Sequence, residues 1–266
     1  MVFSDTCISL YPTSITIKMI RKALFLPVFI LLSARASSQV IISLLLGDNL
    51  NTGKIEFGLD GGLNLSTQTG TEGGKNLSTF NLGFYFDITL KDPSWMVHTG
   101  VIVKSRMGIA NLAPYPLGDN NLDSSFKGGE VDRKLDYFNV PVMIKYKFKN
   151  NFYAETGPTF GLFYNSFDEF TNEVNEDELI YKVERKKNYY LLDAGWTTGI
   201  GYRLSKGNGI NVGVRYYLGF VDVSADGDAS SVKNRSLYFA VGIPIGVKKA
   251  RERAAKKEAE KNPGNP

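Results

Sequence analysis

The stretch YFNVPVMIKYKFKNNFYAETGPTFGLF, residues 137–163, decides the fold of this chain. Every second residue from Phe138 to Phe148 is apolar, and after a break at 149–151 the alternation continues from Phe152. Period-two alternation around a short, Asn-containing turn predicts an antiparallel β-hairpin. Each arm has about 11 residues, which is the length that a tilted strand needs to cross a bilayer.

The same alternating pattern recurs along the chain. Six further segments have an apolar face opposite a face of Gly, polar and charged residues: 54–65, 79–90, 95–105, 189–204, 210–222 and 236–247. With the two hairpin arms, they predict eight strands. Long connections (66–78, 106–133, 164–187 and 223–235) alternate with short ones (91–94, 149–151 and 205–208). This alternation is typical of outer-membrane barrels. The sequence therefore predicts an all-β fold, an eight-stranded antiparallel transmembrane up-and-down β-barrel over residues 54–247.

The N-terminus has the three parts of a secretory signal peptide. A basic MIRK segment at 19–22 precedes an apolar core at 23–32, and small residues follow at 34–39. We predict cleavage near Ser38 or Gln39. Residues 1–18 are then either an upstream extension from a misassigned start or part of an unusually long signal. The domains predicted are 1–39 (upstream extension and signal peptide), 40–53 (periplasmic lead-in), 54–247 (barrel) and 248–266 (charged periplasmic tail).

Composition excludes several classes of protein. The single Cys, Cys7, lies before the predicted cleavage site, so no intramolecular disulfide can form. Cleavage after Gln39 removes four basic residues and one acidic residue, so the formal net charge falls from +4 to +1. This small charge argues against nucleic-acid binding. The tail segment KKARERAAKKEAEK at 248–261 has no apolar stripe. We expect it to extend into the periplasm, with contact to peptidoglycan or a periplasmic partner as the alternative.

The two faces of the predicted strands differ in polarity, and this decides which one faces lipid. Backbone groups in lipid must all be hydrogen-bonded, so the sheet has to close, with its apolar face outward. Eight strands leave a lumen that side chains can fill, and charges buried there have to pair. We therefore predict an internal salt-bridge and hydrogen-bond network, with a continuous ion or solute path as the alternative. Its members are Glu56, Asp60, Asp87, Lys145, Glu155, Asp193, Arg203 and Arg215.

Residues that could support catalysis or metal binding are sparse. His98 is the only His and is predicted to face inward, where a hydrogen-bonded interior role is expected; a catalytic role would need a Ser nucleophile and a carboxylate beside it. No Cys/His cluster suggests zinc, and no Gly-rich loop leads from a strand into a helix to hold a phosphate. We predict no enzymatic activity, no cofactor and no metal site.

The third long connection is strongly acidic. The simplest interpretation is a solvated loop. The functional alternative is a calcium or partner site, although the spacing matches no EF-hand. The residues of this possible partner loop are Asp168, Glu169, Glu173, Glu176, Asp177 and Glu178.

The opening hairpin also carries a family resemblance. YFNVPVMIKYKF, a short turn and FYAETGPTFG resemble the PorT-like outer-membrane β-barrel family, small barrels of the OmpA/OmpX type, through Pro141, the Lys145–Tyr146 pair and the Gly157–Pro158 pair. The resemblance implies an outer-membrane barrel over residues 40–247. PorT is associated with type IX secretion, whereas most members of the family have no assigned role.

These observations together predict a non-enzymatic outer-membrane barrel with a side-chain-filled lumen. It would act in envelope structure, or as a binding or assembly partner through its loops. The alternatives are a PorT-like component of a type IX secretion machine and a narrow small-solute channel. Expected partners are outer-membrane lipid and envelope or secretion proteins, without nucleic acid, around a monomeric barrel. An even strand number places both termini in the periplasm and the long loops outside.

Overall fold

The computed structural model describes residues 54–174, 177–204, 209–225 and 231–246. The predicted signal peptide (1–39), lead-in (40–53) and tail (248–266) lie outside these residues, as does Glu176. No helix in the described part of the chain is long and apolar enough to cross a membrane.

Nine antiparallel strands make up the sheet in the described residues. They are β1 (Ile55–Thr69), β2 (Leu77–Thr89), β3 (Trp95–Leu112), β4 (Glu130–Lys147), β5 (Phe152–Val174), β6 (Asp177–Glu184), β7 (Leu192–Arg203), β8 (Asn211–Gly219) and β9 (Lys233–Pro244). A short helix, α1 (Asn120–Ser125), lies between β3 and β4, and a 3₁₀ turn (Lys186–Asn188) precedes β7.

Eight of the nine strands close into a ring. The order β1-β2-β3-β4-β5-β7-β8-β9 is hydrogen-bonded throughout, and β9 returns to pair with β1 from Gly58↔Pro244 to Thr69↔Lys233. Closure removes both sheet edges, which backbone groups facing lipid require. The prediction of an eight-stranded antiparallel barrel is confirmed. We call its two ends the long-connection end and the short-connection end.

The acidic segment predicted as a loop forms a hairpin instead. The distal half of β5 pairs with β6 from Phe167↔Glu184 to Val174↔Asp177, while the proximal half pairs with β7. The loop prediction rested on charge density and gave no weight to Leu179, Tyr181 and Val183, apolar residues that occupy every second position of β6. Leu179 and Val183 pack with a small buried cluster of Phe126, Val131 and Phe170 at the long-connection end.

Apolar and polar side chains lie on opposite faces of the ring, as the alternation of side chains along a strand requires. Large apolar side chains are exposed on the outside, among them Phe80, Phe160 and Ile200, whose exposed fractions are 53%, 51% and 68%. The polar and charged side chains of the opposite face are buried inside the ring. The outer surface is therefore an apolar belt suited to lipid.

One strand departs from strict alternation. Alternation from Trp95 predicts that Lys104 faces the lumen, but Lys104 is exposed and lies beside Val103, which is also exposed. The β3–β4 register shifts between Ile102 and Ser105, as a β-bulge requires. A bulge adds one residue to a strand and reverses the facing of every later side chain. The inward prediction for Lys104 is therefore wrong.

Ring closure can be tested by cross-linking. Leu65 of β1 and Leu237 of β9 are register partners, so their Cα atoms lie about 4.5–5.5 Å apart, within disulfide range. In a chain lacking Cys7, oxidation of the Leu65→Cys/Leu237→Cys variant should form an intramolecular disulfide, seen as faster migration of the unfolded protein on a non-reducing gel.

The matched control is Leu65→Cys/Ile243→Cys, whose partner lies six residues further along β9, about 20 Å away. This pair should remain reduced. Equal cross-linking of both pairs would contradict the β1–β9 register.

Candidate functional site

Arg215 of β8 occupies the centre of the lumen. Its Nε donates to Glu155 Oε1 and its Nη1 to Asp60 Oδ2, both at 2.5 Å. Its Nη2 lies 3.2 Å from His98 Nε2. A guanidinium can only donate, so Nε2 accepts and the proton of the imidazole resides on Nδ1. Nδ1 in turn donates to Asp87 Oδ1 at 2.6 Å.

Lys145 of β4 is the second buried cation. Its Nζ donates to Asp87 Oδ2 at 2.8 Å, lies 4.0 Å from Glu155 Oε2 and stands 4.2 Å from the ring centre of Tyr153. Tyr238 donates its hydroxyl to Asp60 Oδ1 at 2.6 Å. We call the six ionisable groups that these bonds connect the central cluster: Asp60, Asp87, His98, Lys145, Glu155 and Arg215.

A second ion pair lies toward the short-connection end. Arg203 donates to both carboxylate oxygens of Glu56, at 3.1 and 2.6 Å. The hydroxyl of Tyr85 donates to the same carboxylate at 3.1 Å, and the Tyr85 ring stacks on His98 with 5.5 Å between ring centres. Tyr85 therefore connects this pair to the central cluster.

Asp193 lies apart from the other predicted lumen charges. It accepts a 2.8 Å hydrogen bond from Asn234 Nδ2, and Asn234 also contacts Tyr137 and Gln68. No ion pair of Asp193 exists in the described part of the chain. Seven of the eight predicted lumen residues thus make ion pairs, whereas Asp193 belongs to an amide and hydroxyl network nearer the long-connection end.

A small cavity lined by both polar and apolar side chains lies between these two layers. Its volume is about 40 Å³, and its lining includes Asn81, Asn139, Thr159 and Arg215. The Asn81 side-chain oxygen is buried without a protein partner. A water molecule needs at least roughly 10–15 Å³ of such space and two or more polar partners. The cavity therefore has room for a few waters and none for a sugar or an amino acid.

Inward glycines make space for the large lumen side chains. A Cβ on Gly201 would lie 2.3 Å from the Tyr153 hydroxyl, and one on Gly213 would lie 2.6 Å from it. On the other side, a Cβ on Gly58 would lie 2.4 Å from the Tyr85 ring. The glycines of β1, β7 and β8 therefore admit the two tyrosines that fill the lumen.

The predicted partner residues have different environments in the hairpin. Asp168 is fully buried and accepts hydrogen bonds from Arg133 Nε at 3.1 Å, Arg133 Nη2 at 3.2 Å and the Tyr115 hydroxyl at 3.0 Å. Burial and the Asp168 carboxylate raise the pKa of Tyr115 to about 12, so Tyr115 remains a donor at neutral pH. Asp168 therefore stabilises the fold at this end of the barrel, and its burial prevents direct contact with a partner.

The remaining acidic residues of the hairpin lie further out. Glu169 is paired with Lys134 at 2.5 Å and with Lys182 at 3.1 Å. Glu173, Asp177 and Glu178 are exposed.

Sequence reasoning missed the cations that organise this end of the molecule. Arg133 lies at the end of the predicted connection 106–133, and Lys134 follows it directly. In the structure both belong to β4, whose inward alternation continues through Val131, Arg133 and Leu135. That alternation was the available signal.

The geometry at His98 does not support catalysis. In a Ser-His-Asp triad, the nitrogen remote from the carboxylate accepts the proton of a nucleophile. Here that nitrogen, Nε2, faces the Arg215 guanidinium. No group of three or more His, Cys, Asp or Glu among the described residues could hold a metal ion.

Removing the central cation should strongly destabilise the barrel. Arg215→Met leaves Glu155 and Asp60 buried without their main partner, so we expect a loss of about 3–5 kcal/mol in the free energy of unfolding. Urea unfolding in detergent micelles, followed by tryptophan fluorescence, measures it. Arg235→Met, on the outer face, should cost less than about 0.5 kcal/mol. Equal losses for the two variants would contradict a stabilising central cluster.

Comparisons with known proteins identify the family. The model of the outer membrane protein beta-barrel domain matches residues 38–225. Among solved structures, Neisserial surface protein A is 13% identical, with 72% of this chain and 96% of that chain covered and a TM-score of 0.36. Ail of Yersinia pestis, in complex with the heparin analogue sucrose octasulfate, is 13% identical, with 72% and 98% covered and a TM-score of 0.35.

OprG of Pseudomonas aeruginosa is 14% identical, with 73% of this chain and 95% of that chain covered and a TM-score of 0.31. The search of the curated proteins gave no match. The family match extends over more than half of the residues and includes strands β1 to β8. The chain is therefore an outer-membrane protein that belongs to the family of outer membrane protein beta-barrel domains.

Proposed function

We propose that this protein is a non-enzymatic, non-conducting barrel that serves envelope structure or acts as a binding or assembly partner through its long-connection end. The observation that carries the proposal is the central cluster. Arg215 and Lys145 reach across the lumen from β8 and β4 to carboxylates on β1, β2 and β5. A permeating ion would have to break bonds between buried charges, which is costly.

The proposed orientation follows from the connections. The long connections would lie outside the cell and the short ones in the periplasm, so that both chain termini are periplasmic. The apolar outer belt supports a monomeric barrel in contact with lipid rather than nucleic acid.

The hairpin of β5 and β6 supports a partner-binding role. Ile180 and Tyr181 on β6 have exposed fractions of 55% and 40%, and they stand next to the exposed carboxylates of Asp177 and Glu178. Successive side chains of a strand point to opposite faces, so Ile180 shares one face of the hairpin with Glu178 and Tyr181 shares the other with Asp177. An exposed apolar side chain beside charged ones is the composition of many protein contact sites.

Two alternatives remain distinct proposals. A PorT-like role in type IX secretion rests on the resemblance in residues 137–163, and stable co-purification with secretion proteins would favour it. A narrow solute channel would require the central cluster to open.

Conductance in planar bilayers tests the filled lumen. The refolded mature protein, shown to be folded by heat-modifiable gel migration, should give no current steps. The variant Asp60→Ala/Glu155→Ala/Arg215→Ala removes the centre of the cluster, and its folding is confirmed in the same way. This variant should conduct, because the truncated side chains leave a water-filled path. Reproducible steps from the unmodified protein would overturn the proposal and favour the channel.

Photo-crosslinking tests the partner role of the hairpin. A photoreactive amino acid at Ile180 should give protein adducts in cells that produce the barrel. The same amino acid at Ile200, an exposed position of the lipid-facing belt on β7, should react with lipid and give no protein adduct. Identical patterns at the two positions would argue for a purely structural barrel.

A further inference from the structure

Lys104 is a charged residue on the lipid-facing surface. The bulge in β3 turns it outward beside the exposed side chains of Val103 and of Leu82, its register partner on β2. A lysine on the lipid face is costly in the middle of the bilayer and nearly neutral at the headgroup level. Lys104 therefore has to lie at, or extend to, one edge of the apolar layer.

Counting along the strands indicates which edge this is. A strand crosses the apolar layer in about 10 residues. Starting from the short-connection end, the tenth residue of β3 is Lys104, and the tenth of β9, counted back from Pro244, is Arg235. Both cations therefore lie where the lipid-facing surface ends toward the long-connection end.

Among the described residues, the polar side chains that lie outward on β1 and β2 between these two cations carry hydroxyl groups, and they stand beside apolar side chains such as Leu82 and Phe80. Thr67 and Thr69 of β1 are the register partners of Arg235 and Lys233, and Ser78 of β2 is exposed beside them. The face from β9 to β3 spans three strand spacings, about 14 Å. In the described residues, no carboxylate lies on the outward faces of β9, β1, β2 and β3.

No carboxylate in the described part of the chain neutralises the positive charge of this face. Within the described residues, Lys104 and Lys233 make no ion pair, and the Arg235 guanidinium donates to the Gly219 carbonyl at 3.4 Å without contacting a carboxylate. On the opposite side of the ring, in contrast, Arg106 pairs with Asp136, and Lys134 and Lys182 pair with Glu169. Lys127, Lys186 and Lys187 are also exposed without an ion pair in the described residues, but they lie in connections, whereas Lys104, Lys233 and Arg235 lie on strands of the lipid-facing surface.

We propose that this face binds the phosphate groups of an outer-leaflet lipid, a phosphorylated glycolipid of the lipid A class. Lys104 and Arg235, with Lys233, pair with the phosphates, and the threonine and serine hydroxyls donate to their free oxygens. The acyl chains pack on exposed apolar side chains directly below, including Leu63, Phe80 and Phe239.

A lipid rather than a free phosphate is the expected ligand, because the cations stand above an apolar surface that is open sideways to the bilayer. The assignment to the outer leaflet rests on the proposed orientation of the barrel.

Native mass spectrometry in detergent micelles tests the site with phosphorylated lipid A as the probe. The unmodified protein should retain the lipid, and the Lys104→Gln/Arg235→Gln variant should bind it at least tenfold more weakly. Lys127→Gln/Lys182→Gln removes two exposed cations elsewhere and should bind normally. The charge-conserving Lys104→Arg/Arg235→Lys variant should also retain the lipid, and heat-modifiable migration confirms that every variant is folded.

Three results would overturn the proposal. Lipid A stripped of its phosphates could bind as tightly, which would make the contact purely apolar. Inorganic pyrophosphate could displace the lipid completely, which would identify a free-phosphate site. The double Gln variant could bind like the unmodified protein.

Because the assay is carried out in detergent, a wrong membrane orientation would not abolish binding, so failure of the site and failure of the orientation can be distinguished.

Discussion

The pairing of β9 with β1 is the interaction on which the rest of the structure depends. Twelve register pairs join the first and last strands of the ring, and without them two strand edges would face lipid with unpaired backbone groups. Closure with eight strands then sets the width of the lumen. Ring closure therefore determines both the apolar outer belt and the crowded interior, and the inward residues have to satisfy each other in the space that remains.

The central cluster follows from that confinement. Three carboxylates, two cations and one imidazole share a space from which water is nearly excluded, so each charge needs a protein partner. A single guanidinium, that of Arg215, binds two of the carboxylates and the imidazole because its fork presents donors in several directions. The histidine completes the arrangement as an acceptor toward Arg215 and a donor toward Asp87, which only the neutral ring with its proton on Nδ1 can provide.

The sequence predicts the parts of this structure that depend on periodicity. Strand number, the alternation of long and short connections, and the identity of the inward charges follow from a period of two and from desolvation. The pairing of those charges could not be predicted, because it depends on how neighbouring strands are staggered around the ring. Asp193 shows the limit of predicting charge pairing from sequence. Its position on the inward face of its strand is the same as that of Asp87, but its neighbours in the structure are amides and hydroxyls. The hairpin of β5 and β6 was missed because its charges masked a weak apolar alternation.

The bulge in β3 shows how one extra residue changes which side chains face the lumen and which face lipid. With strict alternation, Lys104 and Arg106 would face the lumen, and Ser105 and Met107 would face lipid. With the bulge, Ser105 is buried and accepts a 2.7 Å hydrogen bond from Asn139, and Met107 joins the buried apolar cluster near the long-connection end. The same shift moves Lys104 and Arg106 outward, where Arg106 pairs with Asp136 and Lys104 lies at the outer rim, the position at which we propose that lipid phosphates meet it. The bulge thus satisfies the packing of the lumen and the charge of the outer face together.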